Sequence, residues 1–199
     1  MFKLIQDYRV TPWKNGKGES TEIAIFPEKA SFAADPFLWR LSSAKVLEEG
    51  EFSYFPEYDR YLTLFKGPFL DISIGDQPPY RMSPGKVLLF RGEEKVFARP
   101  APGGVVDLNL IFRRSIIKAR FHLLDLTDRS PHLYSFSAKW SFIFGVFSST
   151  VIRAHLGSKV EIHEGQTLLV SELNSSMESR FQFTAQQGSS KIAIIELDG

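Results

Sequence analysis

Several groups of polar side chains in this sequence have the types and spacing to bind an anion. The first is the run TPWKNGKGEST, Thr11 to Thr21, which sets Trp13, Lys14 and Asn15 between two strand-like segments. Pro12 fixes its own φ and pushes Thr11 toward an extended backbone, and Asn15-Gly16 is a strong turn signal because both residues tolerate positive φ. Arg40 with Ser42 forms a second group, and Ser53, Phe55 and Arg60 around FPEYD a third. In VVDLNLIFRR, strand alternation puts Asp107, Asn109, Ile111 and Arg113 on one face and Leu108, Leu110, Phe112 and Arg114 on the other. A guanidinium matches a planar carboxylate or phosphate bidentately, and a buried charge must be paired or must meet a ligand. If these strands neighbour one another in a barrel, their polar rows converge into a carboxylate- or phosphate-binding pocket. The same residues also suit a solvated strand face and an ordinary Asn-Gly hairpin with a packed Trp, and the pattern alone leaves both readings open.

The elements that must position these residues read as β-strands. Glu19 to Phe26 alternates toward Ile23 and Ile25; Phe37 to Leu47 sets Phe37, Trp39 and Leu41 opposite Leu38, Arg40, Ser42 and Ala44. Further on, Arg60, Leu62 and Leu64 oppose Asp59, Tyr61, Thr63 and Phe65. FLDISIG and KVLLFRG follow between turns rich in Pro and Gly, and strand candidates continue over 118–126, 139–147, 151–155, 159–163, 166–173, 180–184 and 191–197. No long helix is convincing; Pro27 to Pro36 reads as a loop or a single helical turn. Regular short strands between turn signals indicate a sandwich or barrel. SPGKVLLF (Ser83 to Phe90) and HEGQTLLV (His163 to Val170) echo each other, with FLDISIG and SKVEIHEG preceding them in comparable positions. The echo suggests two stacked β-barrel halves in a single 1–199 unit, 1–115 and 116–199, with the boundary near Ser115 to Thr127.

Composition excludes several function classes. The balance of 24 Lys+Arg against 23 Asp+Glu gives no global basic field to recruit nucleic acid or an acidic membrane surface. The 18 Phe are read as core rather than as a stacking platform for bases. Cysteine is absent, which removes disulfides, thiolate metal sites and Cys nucleophiles and fits a reducing compartment. No stretch approaches bilayer-spanning length, and Gln6, Asp7 and Arg9 break any signal-peptide apolar region, so a cytoplasmic location is expected.

TPWKNGKGESTEIAI, then FLWRLSSAKVLEEGEFSYFPEYDRYLTLFKG, then GGVVDLNLIFRR, in this order, closely resembles the HutD/Ves family. The resemblance implies an all-β, cupin-like double β-barrel (a bicupin). It also implies a small-molecule-binding role, with an acidic intermediate such as formylglutamate as ligand and an association with histidine utilisation. Carried over by position, the pocket residues are Trp13, Lys14, Asn15, Arg40, Ser42 and Ser53, then Phe55, Arg60, Asn109 and Arg113. This chain departs from the family pattern at Lys17, which interrupts a run of glycines, and at Glu57, where the family usually has Gly. The first adds a cation and the second an anion near the expected pocket.

Most catalytic cupins hold a metal through closely spaced His and Glu ligands. Here the histidines are His122, His132, His155 and His163, with no His-x-His; Glu161, His163 and His155 are better explained as surface residues of a strand. No metal or other cofactor is therefore expected. No nucleophile elbow or phosphate-binding loop appears either. Three readings follow. One is a metal-free protein that binds a small anionic metabolite and moderates amino-acid catabolism. The second is a metal-independent isomerase or hydrolase using Lys14 or Asp107 as acid/base. The third is a protein–protein interaction module. A homodimer is the expected assembly.

Overall fold

In a computed structural model, which describes residues 2–6, 8–13, 18–28, 30, 36–154, 158–170 and 180–199, the described residues form strands and turns and no helix. In order, the first strands are β1 (Phe2–Ile5), β2 (Arg9–Pro12), β3 (Gly18–Phe26), β4 (Trp39–Val46), β5 (Gly50–Glu51), β6 (Tyr58–Lys66), β7 (Leu70–Ile74), β8 (Tyr80–Met82), β9 (Val87–Arg91), β10 (Val96–Pro100) and β11 (Val105–Arg113). They continue as β12 (Lys118–Thr127), β13 (His132–Ser135), β14 (Trp140–Phe147), β15 (Thr150–Ala154), β16 (Lys159–Ile162), β17 (Thr167–Val170), β18 (Arg180–Ala185) and β19 (Ser189–Asp198). Most of Pro27 to Pro36 lies outside the described residues. No helix among the described residues is long and apolar enough to cross a membrane.

The chain divides into two compact units, Asp7–Ile117 and Lys118–Gly199 with Met1–Gln6. β1 joins the second unit because it pairs with β17, Leu4 opposite Leu168. The first unit consists of a six-stranded sheet, β2-β3-β4-β11-β6-β9, and a four-stranded one, β5-β10-β7-β8. The second has sheets β1-β17-β14-β19-β12 and β13-β18-β15-β16. Advancing each label by eight strands converts β4-β11-β6-β9 into β12-β19-β14-β17 and β5-β10-β7-β8 into β13-β18-β15-β16, so the two units share one topology.

Register carries the repeat down to single residues. The ladder between β6 and β11 slips at Phe65, and the equivalent ladder between β14 and β19 slips at Val146, a β-bulge at the same end of the same strand. SPGKVLLF and HEGQTLLV occupy equivalent places: Leu88 pairs with Leu62, as Leu168 pairs with Ile143. Gly85 and Gly165 make the two preceding turns at φ 85° and 80°, a region glycine enters without steric cost. The flanking correspondence differs from the sequence reading. FLDISI is β7, whose counterpart is β15; SKVEI supplies β16, whose counterpart is the short β8.

Each unit is held by apolar side chains between its two sheets. In the first, Leu62, Leu64 and Val105 meet Ile72, Met82 and Ala98. In the second, Ile143, Leu168 and Ile194 meet Ile152, Phe181 and Phe183. Four of the strands that sequence alternation did not show, β5, β8, β10 and β13, lie in the four-stranded sheets. They are brief, and β10 ends on a proline, so they offer few alternations to read.

The turn after β9 fixes the segment carrying Ser53 and Phe55. Gly92 donates its N–H to the Tyr58 carbonyl (2.7 Å) and accepts the Phe55 N–H (2.8 Å). A Cβ at Gly92 would stand 2.4 Å from the Phe55 carbonyl oxygen, which is backbone and has no room to yield. Gly92→Ala should therefore lower unfolding free energy by about 1–3 kcal/mol in urea melts. Gly50→Ala, whose methyl meets nothing within 4 Å, is the control and should change it little. Equal midpoints for the two variants would show that the turn does not constrain this segment.

Candidate functional site

A cavity of about 730 Å³ opens within the first unit, walled by the inward faces of β3, β4, β11 and β6. Register orders its polar side chains in rungs. Ile111 of β11 stands between Arg40 of β4 and Arg60 of β6. One rung along, Asn109 lies beside Ser42, and Ser42 beside Glu22 of β3. In the next rung, Asp107 lies beside Ala44, and Ala44 beside Ser20. The opposite face of these strands is also buried, at Trp39, Leu41, Leu108 and Leu110, so the centre of the sheet has no wet side.

Arg60 is the least compensated charge in this arrangement. It is 5% exposed, and among the described residues no carboxylate lies within ion-pair distance of it. Its guanidinium carbon sits 4.7 Å from the Phe52 ring centroid, 5.2 Å from Phe90 and 5.9 Å from Phe55. Aromatic faces attract a cation but do not satisfy its N–H groups. Nη1 reaches the Ser53 carbonyl only at 3.5 Å, and buried Nε has no partner. Burial pulls the group down to about 10, with Asp107 opposing the shift and Arg40 adding to it. Arg40 differs, for its Nε donates to Glu22 at 2.8 Å and its Nη1 to Ser42 at 3.0 Å.

Asp107 is 1% exposed and accepts the Ala44 N–H at 3.0 Å. Burial pushes its carboxyl up to about 7, against the pull of Arg60, the Ala44 N–H and Arg40. Between Asp107 and the arginines, the buried Oδ1 of Asn109 is also without a hydrogen bond. An unpartnered donor on Arg60, an unpartnered acceptor on Asn109 and a titratable carboxyl thus share one cavity.

Trp13, Arg40, Ser42, Ser53, Phe55, Arg60 and Asn109 are brought together at the cavity. Trp13 is held by an Nε1 hydrogen bond to Ser20 (2.8 Å) and by its N–H on the Gly18 carbonyl (2.9 Å). Ser53 meets Arg60 through its carbonyl rather than its hydroxyl. Lys14, Asn15 and Lys17 lie outside the described residues. Arg113 is not brought to the cavity. It pairs in register with Tyr58, whose ring joins Phe37 and Phe55 over Ile111, and its Nη2 bonds Glu57 at 3.1 Å. Glu57 itself has φ 70°, the left-handed region where an L-residue costs about 1–2 kcal/mol and which glycine enters freely.

Glu22, Phe52 and Phe90 complete the site and were absent from the sequence-derived set, whereas Asp107 was named there only as a candidate acid/base and not as a pocket residue. Glu22 was hidden by a β-bulge. The β3 ladder skips Ile23, so Glu22 opposite Ser42 and Ile25 opposite Arg40 share a face despite their odd spacing. Asp107 did carry a signal, since it alternates with Asn109 on the polar face of β11.

The second unit shows what the same framework looks like when filled. Ile192 and Ile194 take the places of Asp107 and Asn109, and Ser141 takes that of Arg60. Ile192 and Ile194 pack into an apolar cluster with Ile143, Phe136 and Phe183. Its buried carboxylate, Glu196, is satisfied by Tyr134 (2.7 Å), the Ser137 N–H (3.3 Å) and Arg120 (3.3 Å).

Metal ions, common in cupins, do not fit the cavity's donor set. A divalent cation would be set beside the guanidinia of Arg40 and Arg60, which repel it and donate no lone pair. Among the described residues no group of three or more His, Asp or Glu is placed to hold an ion. His163 instead shares its Nδ1 between Ser149 (2.7 Å) and Glu161 (3.6 Å) at the surface. His155 lies outside the described residues.

The raised Asp107 carboxyl links stability to pH. Folded Asp107 holds its proton to about pH 7, whereas an unfolded Asp releases it near 3.8, so its favourable contribution is complete below 3.8 and is lost as pH rises to about 7. In urea melts between pH 5 and 7, the native protein should lose up to about 1.4 kcal/mol per pH unit relative to Asp107→Asn. Parallel pH curves for the two proteins would mean that Asp107 ionises normally.

A HutD family model matches residues 5–192. An uncharacterized 21.2 kDa protein of the hutC 3′ region of Pseudomonas putida is 36% identical over 143 residues, 72% of each chain. The solved structure of HutD from Pseudomonas fluorescens SBW25, 26% identical, superposes with a TM-score of 0.79 over 100% of this chain and 98% of that one. At the level of fold alone, a cupin 2 conserved barrel domain protein from Leptotrichia buccalis, 9% identical, matches with a TM-score of 0.57 over 89% of this chain and 87% of that one. With its paired β-units, its cupin-like topology and a family match spanning nearly its whole length, the chain belongs to the HutD family.

Proposed function

We propose that this protein is a cytoplasmic, metal-independent binding protein for a small carboxylate metabolite, seated in the cavity of the first unit, and that it moderates histidine or related amino-acid catabolism. The observation that carries this reading is Arg60, a buried guanidinium with unspent donors facing a hollow that the sister unit fills with isoleucine. An isolated buried charge is expensive, and a planar anion is what a guanidinium fork fits best. The genomic neighbourhood of the Pseudomonas putida relative, beside hutC, supports the pathway assignment, and formylglutamate is the first compound to try.

An enzymatic reading is favoured by one observation. Asp107, poised near neutrality on the cavity wall, has the acidity of a general acid/base. Turnover would show as product in mass spectra after incubation with a ligand that binds; an unchanged ligand leaves the binding role.

Thermal shift with formylglutamate and related acids tests the reading directly. A ligand at 100 times its Kd should stabilise the protein by about 2.7 kcal/mol. Arg60→Met should abolish this shift while remaining folded, since a neutral side chain of similar length removes the burial cost. Arg113→Ala, outside the cavity, should retain it. Absence of any shift at millimolar acid, or equal shifts in wild type and Arg60→Met, would defeat the proposal.

A further inference from the structure

The cavity is not simply cationic. Arg40 is already paired with Glu22, and Arg9 and Arg60 share the lining with Asp107 and with Glu48, Glu49 and Glu51 of the β4–β5 segment. Glu49 and Glu51 are turned to Arg99 (2.6 Å) and Lys95 (3.2 Å). A pocket selected only for negative charge would not carry so many carboxylates. Their order along β11 is informative. The arginines flank Ile111, Asn109 follows, and Asp107 ends the row, about 13 Å of strand from Ile111. One end offers guanidinium donors, the middle an amide, and the far end a carboxyl with one oxygen held by the Ala44 N–H.

We infer that the occupant is bipolar: a carboxylate lies against Arg60 and an N–H or O–H donor, not a second carboxylate, lies against Asp107. This rests on the carboxylate reading of the cavity and narrows its ligand class. Amides, N-acyl amino acids and amino acids satisfy it, whereas simple α,ω-dicarboxylates place an anion against an anion. Asn109, with both an acceptor and donors, can serve a polar group between the two ends. The filled unit is consistent with the same logic. It has Ile192 at the Asp107 position and Ser141 at the Arg60 position, so it has neither pole.

The test uses dicarboxylates of four, five and six carbons against their monoamides, which differ only in one terminal group. Isothermal titration of the full chain at pH 8 should show at least one monoamide binding at least about tenfold tighter than its parent diacid, because a like charge in place of a donor is strongly disfavoured. Asp107→Asn, which keeps an oxygen for the Ala44 N–H, should erase that preference, and Asp107→Ser should do the same if the Asn variant folds poorly. Arg113→Ala should preserve it. Diacids that match the monoamides in wild type, or a preference that survives in both Asp107 variants, would overturn the inference while leaving the carboxylate site intact. No heat and no thermal shift with either series would overturn the carboxylate reading, and this inference with it.

Discussion

The buried guanidinium of Arg60 is the constraint on which the first unit depends. A charge taken out of water costs several kcal/mol unless it is paired, and Arg60 lacks an ion-pair partner among the described residues. The fold compensates by surrounding it with polarizable surface. Phe52 precedes it from the segment after β5, Phe90 lies opposite it on β9, and Phe55 comes from the turn locked by Gly92. None of these supplies an acceptor. The sheet beneath is buried on both faces, so the strand cannot swing the side chain out to solvent without disrupting Leu62 and Leu64 on the same face. The unit therefore holds an electrostatic deficit in place by packing.

The two units make this deficit interpretable, because one topology appears with two interiors. Bulge, turn glycine and strand order are all repeated, so the backbone does not decide which unit is hollow. Side chains at a few inward positions decide it. Where the second unit has isoleucines it needs no partner and closes on itself; where the first has Asp107 and Asn109, apolar closure would strand polar atoms. The second unit does retain one buried carboxylate, Glu196, and surrounds it with Tyr134, Arg120 and a backbone N–H. The contrast between a satisfied Glu196 and an Arg60 with an unpartnered Nε is the difference on which the proposed binding role rests.

Much of this was legible in the sequence. Alternation in FLWRLSSAKVL, RYLTLF and VVDLNLIF set Arg40, Ser42, Arg60 and Asn109 on the polar faces of their strands, because period-two patterning survives wherever a strand is regular, and the register then turns those faces inward. The echo between SPGKVLLF and HEGQTLLV anticipated the duplication, since a turn glycine and a buried strand impose the same residues twice. What escaped reading has physical causes. A bulge shifts phase by one residue, so Glu22 moved to the cavity face while the apparent alternation of Ile23 and Ile25 pointed elsewhere. Arg113 follows the alternation but overshoots the cavity, because the Phe37, Phe55 and Tyr58 cluster closes that end first. Periodicity reports which face a residue takes, not how far the hollow extends.

Asp107 and Arg60 carry opposite charges near each other, yet burial moves both toward neutrality, the acid up and the base down. Had they formed a direct ion pair, each would have held the other in its charged form. Among the described residues no ion pair joins them, although each pulls the other toward its charged form. In the proposed bipolar reading, a molecule that carries its own carboxylate and its own donor bonds at both ends, and the separation of the two poles sets the selectivity.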